Sequence, residues 1–382
     1  MEEPRVLIVT TEAPDILSGG LGFFNDCLWK ELHRRDFAFR TLYLNTQGTP
    51  PSRLADYQLP VEEALPFDST PESIAMNKAW TTRQRLQPIF DDYAPEVISV
   101  HENWSVLPFY FELNKVQFTL HASYIGMEHY LVRTQAGLHY YWEQRIALRQ
   151  AGAVVMHSDW TRRMAREHIA ADGVPPQVFP IGLNFADYPT RKKEHPDGKI
   201  VVSFFGRSGD VVKNFKAFRH AILMLPPEYR ARIEPRVYSP DALPKTLSEE
   251  GFHGLTFVRG EAKTQAFAET DIVVMPSTHE SFGIVGLEAL LCNCALIATP
   301  GLGMDTYMPP ECACDPNSNA IREQLIGHIN NFDEIRSKQR TGEYRNSVVQ
   351  PEFSVEKMTE NYIQAWRKLK EKNAMTNVVT NK

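Results

Sequence analysis

Two carboxylates bracket a glycine in the stretch from Asp271 to Glu288, DIVVMPSTHESFGIVGLE. Asp271 to Met275 is a short apolar, β-branched run of the kind that forms a strand covered on both faces. Pro276, Ser277, Thr278 and His279 break it. Ser281 is placed to cap a following helix, and Gly283 lets backbone come close to a ligand at its first turn. The first N–H groups of such a helix have no acceptor within it, and with the helix dipole they form a site for an anion. Glu280 lies just before the helix and Glu288 about 7.5 Å further along its axis. An anion pocket flanked by two hydroxyl-binding carboxylates suits a nucleotide sugar, with its diphosphate, ribose and hexose. A solvated helix start with two surface glutamates fits the same letters.

A second candidate precedes it. Lys199 to Phe205 (KIVVSFF) reads as a strand, followed by Gly206, Arg207, Ser208, Gly209 and Asp210, then Lys213, ahead of a helix with Phe215, Phe218, Ile222 and Leu225 on its apolar face. Two cations at a strand-to-helix turn can hold a diphosphate, Arg as a fork and Lys as a point charge. They can equally be a solvated basic turn. Near the start, the strand RVLIVT leads through the Gly-rich turn Gly19-Gly20-Leu21-Gly22 into a helix, another phosphate-approach geometry. That turn lacks the G-x-G-x-x-G spacing and can also be merely flexible. Strands over 96–100 and 116–120 end on His101 and His121, and ligands of an open parallel sheet sit at such carboxyl ends. Trp104 and the aromatic cluster Tyr124, Tyr130, Tyr140, Tyr141 and Trp142 could meet a sugar ring or serve packing.

These residues need a scaffold of alternating strands and helices. Further strands are expected over 37–44, 151–157, 177–181, 236–239, 255–258 and 295–298, with Ser158-Asp159 capping a helix. Thr46 to Ser73 reads as an extended surface connection, 74–90, 320–330 and 354–370 as helices, and 371–382 as a frayed tail. Gly260-Glu261 is a place for a base to lie against main chain. The polar, Pro-containing run NFADYPTRKKEHPDG marks a boundary between two domains. At 382 residues the chain is too long for one ordinary core. Its 43% hydrophobic and 23% charged content is that of a soluble globular protein. A net charge of −6 gives no support to nucleic-acid binding. No apolar run reaches membrane-spanning length, and the acidic start running into a strand is not read as a signal peptide. Five cysteines point to a reducing compartment, hence the cytoplasm. Cys292 and Cys294, with Cys312 and Cys314, form two C-x-C pairs whose spacing departs from zinc sites, so no metal is expected.

The motifs and their order resemble the GT-B glycosyltransferases, in particular the large retaining family 4 group. PSTHESFGIVGLEAL is similar to that family's E-x(7)-E signature, and the turn from Gly206 to Lys213, the Gly-rich loop, TLHAS around His121 and PIGLN near Gly182 follow in the expected order. The resemblance implies an α/β chain of two Rossmann-like domains facing each other across a cleft: 1–184, acceptor-binding, joined by the C-terminal helix of about 354–371 crossing back, and 199–353, donor-binding. It implies that Glu280 faces hydroxyls of the donor sugar and Glu288 the ribose. Arg207 and Lys213 would neutralise the diphosphate, Gly283, Ile284 and Val285 would offer it N–H groups, and Gly20, Gly22 and Gly206 would approach it. His121 would sit by the reacting bond, and His101, Trp104 and Tyr124 are candidates for the acceptor. Two departures stand out: Asn214 replaces the glycine usual after the lysine, and Asn293-Cys294-Ala295 replaces a Gly-x-Pro.

The implied activity is transfer of a hexose, with retention, from a nucleotide-diphosphate sugar to a hydroxyl acceptor, with no metal or other cofactor. Such enzymes can dock peripherally on a membrane. A non-catalytic nucleotide-sugar-binding homologue, and an epimerase or hydrolase of the same fold, are the alternatives.

Overall fold

A computed structural model of the chain describes residues 2–16, 19–45, 50–60, 84–101, 107–121, 144–168, 173–190, 197–256 and 258–380. The chain divides into two units, one of Met1–Leu183 with Val355–Lys382 and one of Asn184–Ser354. In the first, seven strands run in the order β3-β2-β1-β4-β5-β6-β7, all parallel. They are β1 (Val6–Thr10), β2 (Phe39–Asn45), β3 (Tyr57–Pro60), β4 (Val97–His101), β5 (Val116–Leu120), β6 (Ala153–Met156) and β7 (Gln177–Val178). β1, β4, β5 and β6 are buried along their whole lengths. Their apolar runs follow from burial on both faces of a parallel sheet.

The register decides what meets at the carboxyl edge. Thr10 lies opposite His101, His101 opposite Thr119, and Leu120 opposite Met156. His101, His121 and His157 therefore end three neighbouring strands at nearly one level. Helix α1 (Gly20–Arg34) follows β1 and buries Phe24, Leu28 and Leu32. The C-terminal helix, Val355–Thr380, returns to this unit. It buries Tyr362 and Trp366, and the Trp366 indole donates to Gln117 Oε1 at 3.0 Å. Arg35, just past the end of α1, pairs with Glu360 of the C-terminal helix at 2.7 Å.

The second unit has five parallel strands in the order β10-β9-β8-β11-β12. They are β8 (Ile200–Phe205), β9 (Ile233–Ser239), β10 (His253–Thr256), β11 (Ile272–Met275) and β12 (Ala295–Ala298). Helix α2 (Phe215–Leu223) follows β8, α3 (Gly260–Ala268) follows β10, and α4 (Ile284–Leu291) follows β11. Both sheets reverse strand order beside their first strand, between β1 and β4 and between β8 and β11. That switch is where an open α/β sheet takes its ligand.

Three expectations change. Residues 57–60, read as part of a surface connection, form the edge strand β3 against β2. Residues 371–380, read as a frayed tail, continue the last helix. Its turns are tied to unit 1 by Lys372 Nζ on Gly152 O at 3.1 Å and Asn373 Nδ2 on Asn114 O at 3.0 Å. The polar run after Asn184 begins on the second unit: Arg345 donates to the carbonyls of Phe185 and Tyr188, and Asn293 to that of Thr190.

Candidate functional site

At the switch point of the second unit, two loops leave the carboxyl ends of β8 and β11 and are laced together. Thr278 N donates to Val212 O at 2.8 Å. Asp210 caps the turn Val211–Lys213 by accepting from Val212 N. Asn214 then takes a left-handed conformation, φ 53° and ψ 40°. Its side-chain amide donates to Pro276 O at 3.0 Å and Pro316 O at 2.8 Å. Asn is among the few non-glycine residues that tolerate this backbone. The departure from glycine thus preserves the turn and adds two ties.

These loops carry the charged groups. Lys213 Nζ and Glu280 Oε1 form an ion pair in which both side chains are largely buried, and Ser277 Oγ donates to the same oxygen at 3.2 Å. Arg207, more than half exposed, pairs with Asp210 at 2.6 Å. Sequence reasoning gave Lys213 and Glu280 separate partners, and in the structure they hold each other. Gly206 turns the chain out of β8, with its N–H on Tyr238 O at 3.0 Å.

Helix α4 starts at Gly283, not at Ser281: Gly283 is the N-cap residue, at φ 78° and ψ 57°, with no side-chain cap. A Cβ there would fall 2.5 Å from Met304 Cγ, so glycine is required for space as well as for backbone angle. Tyr307 fixes this corner by donating its hydroxyl to Gly283 O. Burial, reinforced by the nearby Glu280, pushes the Tyr307 phenol well above its usual range, so it stays a neutral donor. Ile284 and Val285 begin the helix half-buried, with the N–H groups that no helix can satisfy internally.

Glu288 lies one turn further on and is buried to 1% exposure. Its Oε2 is 2.6 Å from Lys263 Nζ of α3, and its Oε1 accepts from the Tyr188 hydroxyl at 3.3 Å. Sequence reasoning missed both partners. A lone buried carboxylate is costly, and a cation 25 residues upstream leaves no mark on local spacing.

In the first unit, His101 Nδ1 is 3.0 Å from His121 Nε2, and His121 Nδ1 is 3.1 Å from His157 Nε2. His157 Nδ1 reaches Phe179 O at 2.9 Å. Phe24 packs on all three rings, with its centroid 4.6 Å from that of His121. Burial lowers the affinity of all three for a proton: His101 to about 3, His157 to about 4, and His121 well below its usual value. His157 carried no role in the sequence reading, although AVVMH ends as VISVH and VQFTLH do.

Gly20 begins α1, and the Gly22 N–H donates to Glu12 Oε2 at 2.8 Å. A carboxylate of the chain itself thus meets one of the first N–H groups of this helix. Trp104, Tyr124 and the rest of the aromatic cluster to Trp142 lie outside the described residues. None of the five cysteines, all described, is in a disulfide. Four are buried, and burial pushes the Cys312 thiol to about 12 and Cys314 to about 11, which suits packing more than metal ligation. No helix among the described residues is long and apolar enough to cross a membrane.

Residues 199–330 match the family model described as glycosyl transferases group 1. A phosphatidyl-myo-inositol mannosyltransferase from Propionibacterium freudenreichii is 31% identical over 134 residues, 33% of this chain and 33% of that protein. Sucrose-phosphate synthase from Thermosynechococcus elongatus superposes with a TM-score of 0.77 over 96% of this chain and 99% of its own, at 16% identity. HepE from Anabaena, in complex with UDP and glucose, does so at 0.68 over 96% and 100%, at 15% identity. The chain therefore has the GT-B fold, and the match to the glycosyl transferases group 1 model falls within its second unit.

Proposed function

We propose that the protein is a retaining glycosyltransferase of family 4 type, moving a hexose from a nucleotide-diphosphate sugar to a hydroxyl acceptor. The observation that carries this reading is the Lys213–Glu280 pair on the loops beside the uncapped first turn of α4, with Glu288 buried one turn along. Lys213, Arg207 and the N–H groups of Gly283, Ile284 and Val285 take the diphosphate and stabilise it as it leaves with negative charge. These groups supply the positive charge a metal would otherwise bring. Glu280 accepts from the sugar's hydroxyls, and Glu288, held by Lys263 and Tyr188, from the ribose. The similarity to HepE, seen with UDP and glucose, is consistent with such a donor.

Retention follows from front-face departure and attack, with the leaving phosphate taking the acceptor's proton. Double displacement needs a carboxylate nucleophile on the opposite face of the sugar. Glu280 is engaged elsewhere, and His121 is not a carboxylate. The first unit takes the acceptor, with His101 and His121 at its carboxyl edge. Five cysteines without a disulfide favour a reducing compartment, the cytoplasm.

The test is incubation with UDP- and GDP-sugars, with and without hydroxyl acceptors, following nucleotide release and the anomeric configuration of the early product by proton NMR. Acceptor-dependent release, an α-linked product from an α-linked donor, and activity that survives EDTA are expected. Lys213→Ala should lower kcat/KM on the order of 100-fold, about 3 kcal/mol of transition-state stabilisation. Release without acceptor would point to a hydrolase or epimerase. An inverted product would refute the mechanism.

A further inference from the structure

A cavity of about 300 Å³ opens in the second unit beside Ala295 and Leu296, the first residues of β12. Helices α5 (Ser318–Asn330) and α6 (Phe332–Thr341), the segment at Glu311 and Cys312, and the turn Glu343–Asn346 wall it. The strands of this sheet are parallel, so the start of β12 lies at the opposite end from the carboxyl edge whose loops carry Lys213 and Glu280. None of the lining residues belongs to the candidate donor site. The volume is at about the lower bound for a pocket that takes a small molecule.

The polar groups around this space offer mainly lone pairs. His328 Nδ1 is 3.0 Å from Gln324 O. A carbonyl only accepts, so the ring's proton sits on Nδ1 and Nε2 is left as an acceptor. Burial lowers the proton affinity of this ring, which keeps it neutral. Gln324 spends an amide N–H on Glu311 O at 3.2 Å, and Asn331 spends one on Gly327 O at 3.1 Å. Each keeps an amide oxygen to offer. Tyr344 is only 9% exposed and lines the cavity, and its hydroxyl has no hydrogen-bond partner among the described residues. Burial, then the Cys312 thiol and the carboxylates of Glu343, Glu311 and Glu334, raise its proton affinity, so it stays a neutral phenol. Lys338 brings one positive charge, shared between Glu334 at 3.4 Å and Glu343 at 3.5 Å. Three carboxylates, Glu311, Glu334 and Glu343, against that one ammonium leave a net negative charge around the cavity.

We propose that this cavity is a binding site for a small primary amine in its ammonium form. A primary ammonium carries three donors and no acceptor, the complement of a wall built from acceptors. Its charge is met by Glu311 and Glu334, and its N–H groups by the Tyr344 oxygen and His328 Nε2. The buried phenol without a partner is what separates this place from an ordinary acidic surface. An anion would face the carboxylates, and an alcohol would bring hydrogen bonds without the charge. The site is independent of the transferase reading.

The test is isothermal titration of the full-length protein, at low salt, with 1,4-diaminobutane. 1,4-Butanediol and succinate, which carry hydroxyl or carboxylate ends on a chain of the same length, are the comparisons. Saturable one-to-one binding of the diamine is expected, with no binding heat from the other two. Glu334→Gln and Tyr344→Phe should each weaken it on the order of 10-fold, the effect of losing a charged or charge-assisted hydrogen bond. Glu334 is exposed, so its substitution leaves the packing in place and keeps the proposal open to refutation even where Tyr344→Phe disturbs the fold. Glu323→Gln removes an exposed carboxylate of α5 outside the cavity and should leave binding unchanged. Absence of saturable diamine binding overturns the proposal, as does binding of the diol or succinate equal to that of the diamine. An equal loss in Glu323→Gln and Glu334→Gln would also overturn it, because the diamine would then be following general surface charge.

Discussion

Acidification should destabilise the first unit well before the carboxylates titrate, and its three buried histidines set the size of the effect. A histidine has an unfolded-state pKa of about 6.5. In the folded unit burial lowers His101 to about 3, His157 to about 4, and His121 well below its usual value. The unfolded chain therefore binds more protons than the folded one between these limits, so stability falls as pH falls. The loss begins near pH 6.5 and for His157 levels off near pH 4. From pH 7 to pH 5 each ring that stays neutral costs about 2 kcal/mol, and three cost about 6 kcal/mol, against a typical total of about 5–15 kcal/mol. Glu31, Glu96 and Glu360 are held low, Glu31 by Arg34, Glu96 by the Arg5 N–H and Lys370, and Glu360 by Gln364 and Arg35. They stabilise the fold above their unfolded pKa of about 4.3 and lose that contribution only below it, outside this window. All six tryptophans lie in the first unit's stretches of sequence, so their fluorescence reports its unfolding alone. Urea titrations at pH 7, 6 and 5 should give the 6 kcal/mol fall, and His157→Gln should show only about two-thirds of it. Equal pH slopes for the two proteins would refute the assignment of neutral buried rings.

Two further outcomes concern the second unit. Lys263→Met should destabilise it by about 3–5 kcal/mol, because Glu288 is left buried without its cation. Adding Glu288→Gln should restore most of that in calorimetry, and no recovery would mean the lysine matters for packing alone. Asn214→Gly should cost only the two side-chain ties to Pro276 and Pro316, about 1 kcal/mol each. Asn214→Ala should cost a further 1–2 kcal/mol or so for the left-handed backbone. A melting temperature for the Ala variant equal to that of the Gly variant would remove the conformational argument.

Most of the sheet strands were legible because a parallel sheet buried on both faces leaves an unbroken apolar run, as in VLIVT, VISVH and IVVM. β3 was not, since an edge strand such as Tyr57–Pro60 can carry Gln and end on Pro. The helix end at Thr380 was hidden for another reason. The stretch from 371 to 380 begins with Glu371, Lys372 and Asn373, none of them apolar, and its ties run to carbonyls of Asn114 and Gly152, far away in sequence.

The site divides along the same line. Groups fixed by local chain geometry could be read: a turn after β8, a glycine before α4, a histidine at the end of a strand. Groups fixed by tertiary pairing could not. The cap expected at Ser281 failed because a left-handed glycine two residues later starts the helix, and backbone angles beat side-chain capping preference. Asn214 looked like a loss of glycine, yet the same left-handed angle is kept by a side chain that also ties its loop to Pro276 and Pro316. His157 had the legible signal, an apolar run ending in histidine. It becomes a partner of His121 only because the parallel register puts Leu120 opposite Met156. Register is set between strands and not within either, so the rule that found His101 and His121 could place His157 at an edge without saying what it would touch.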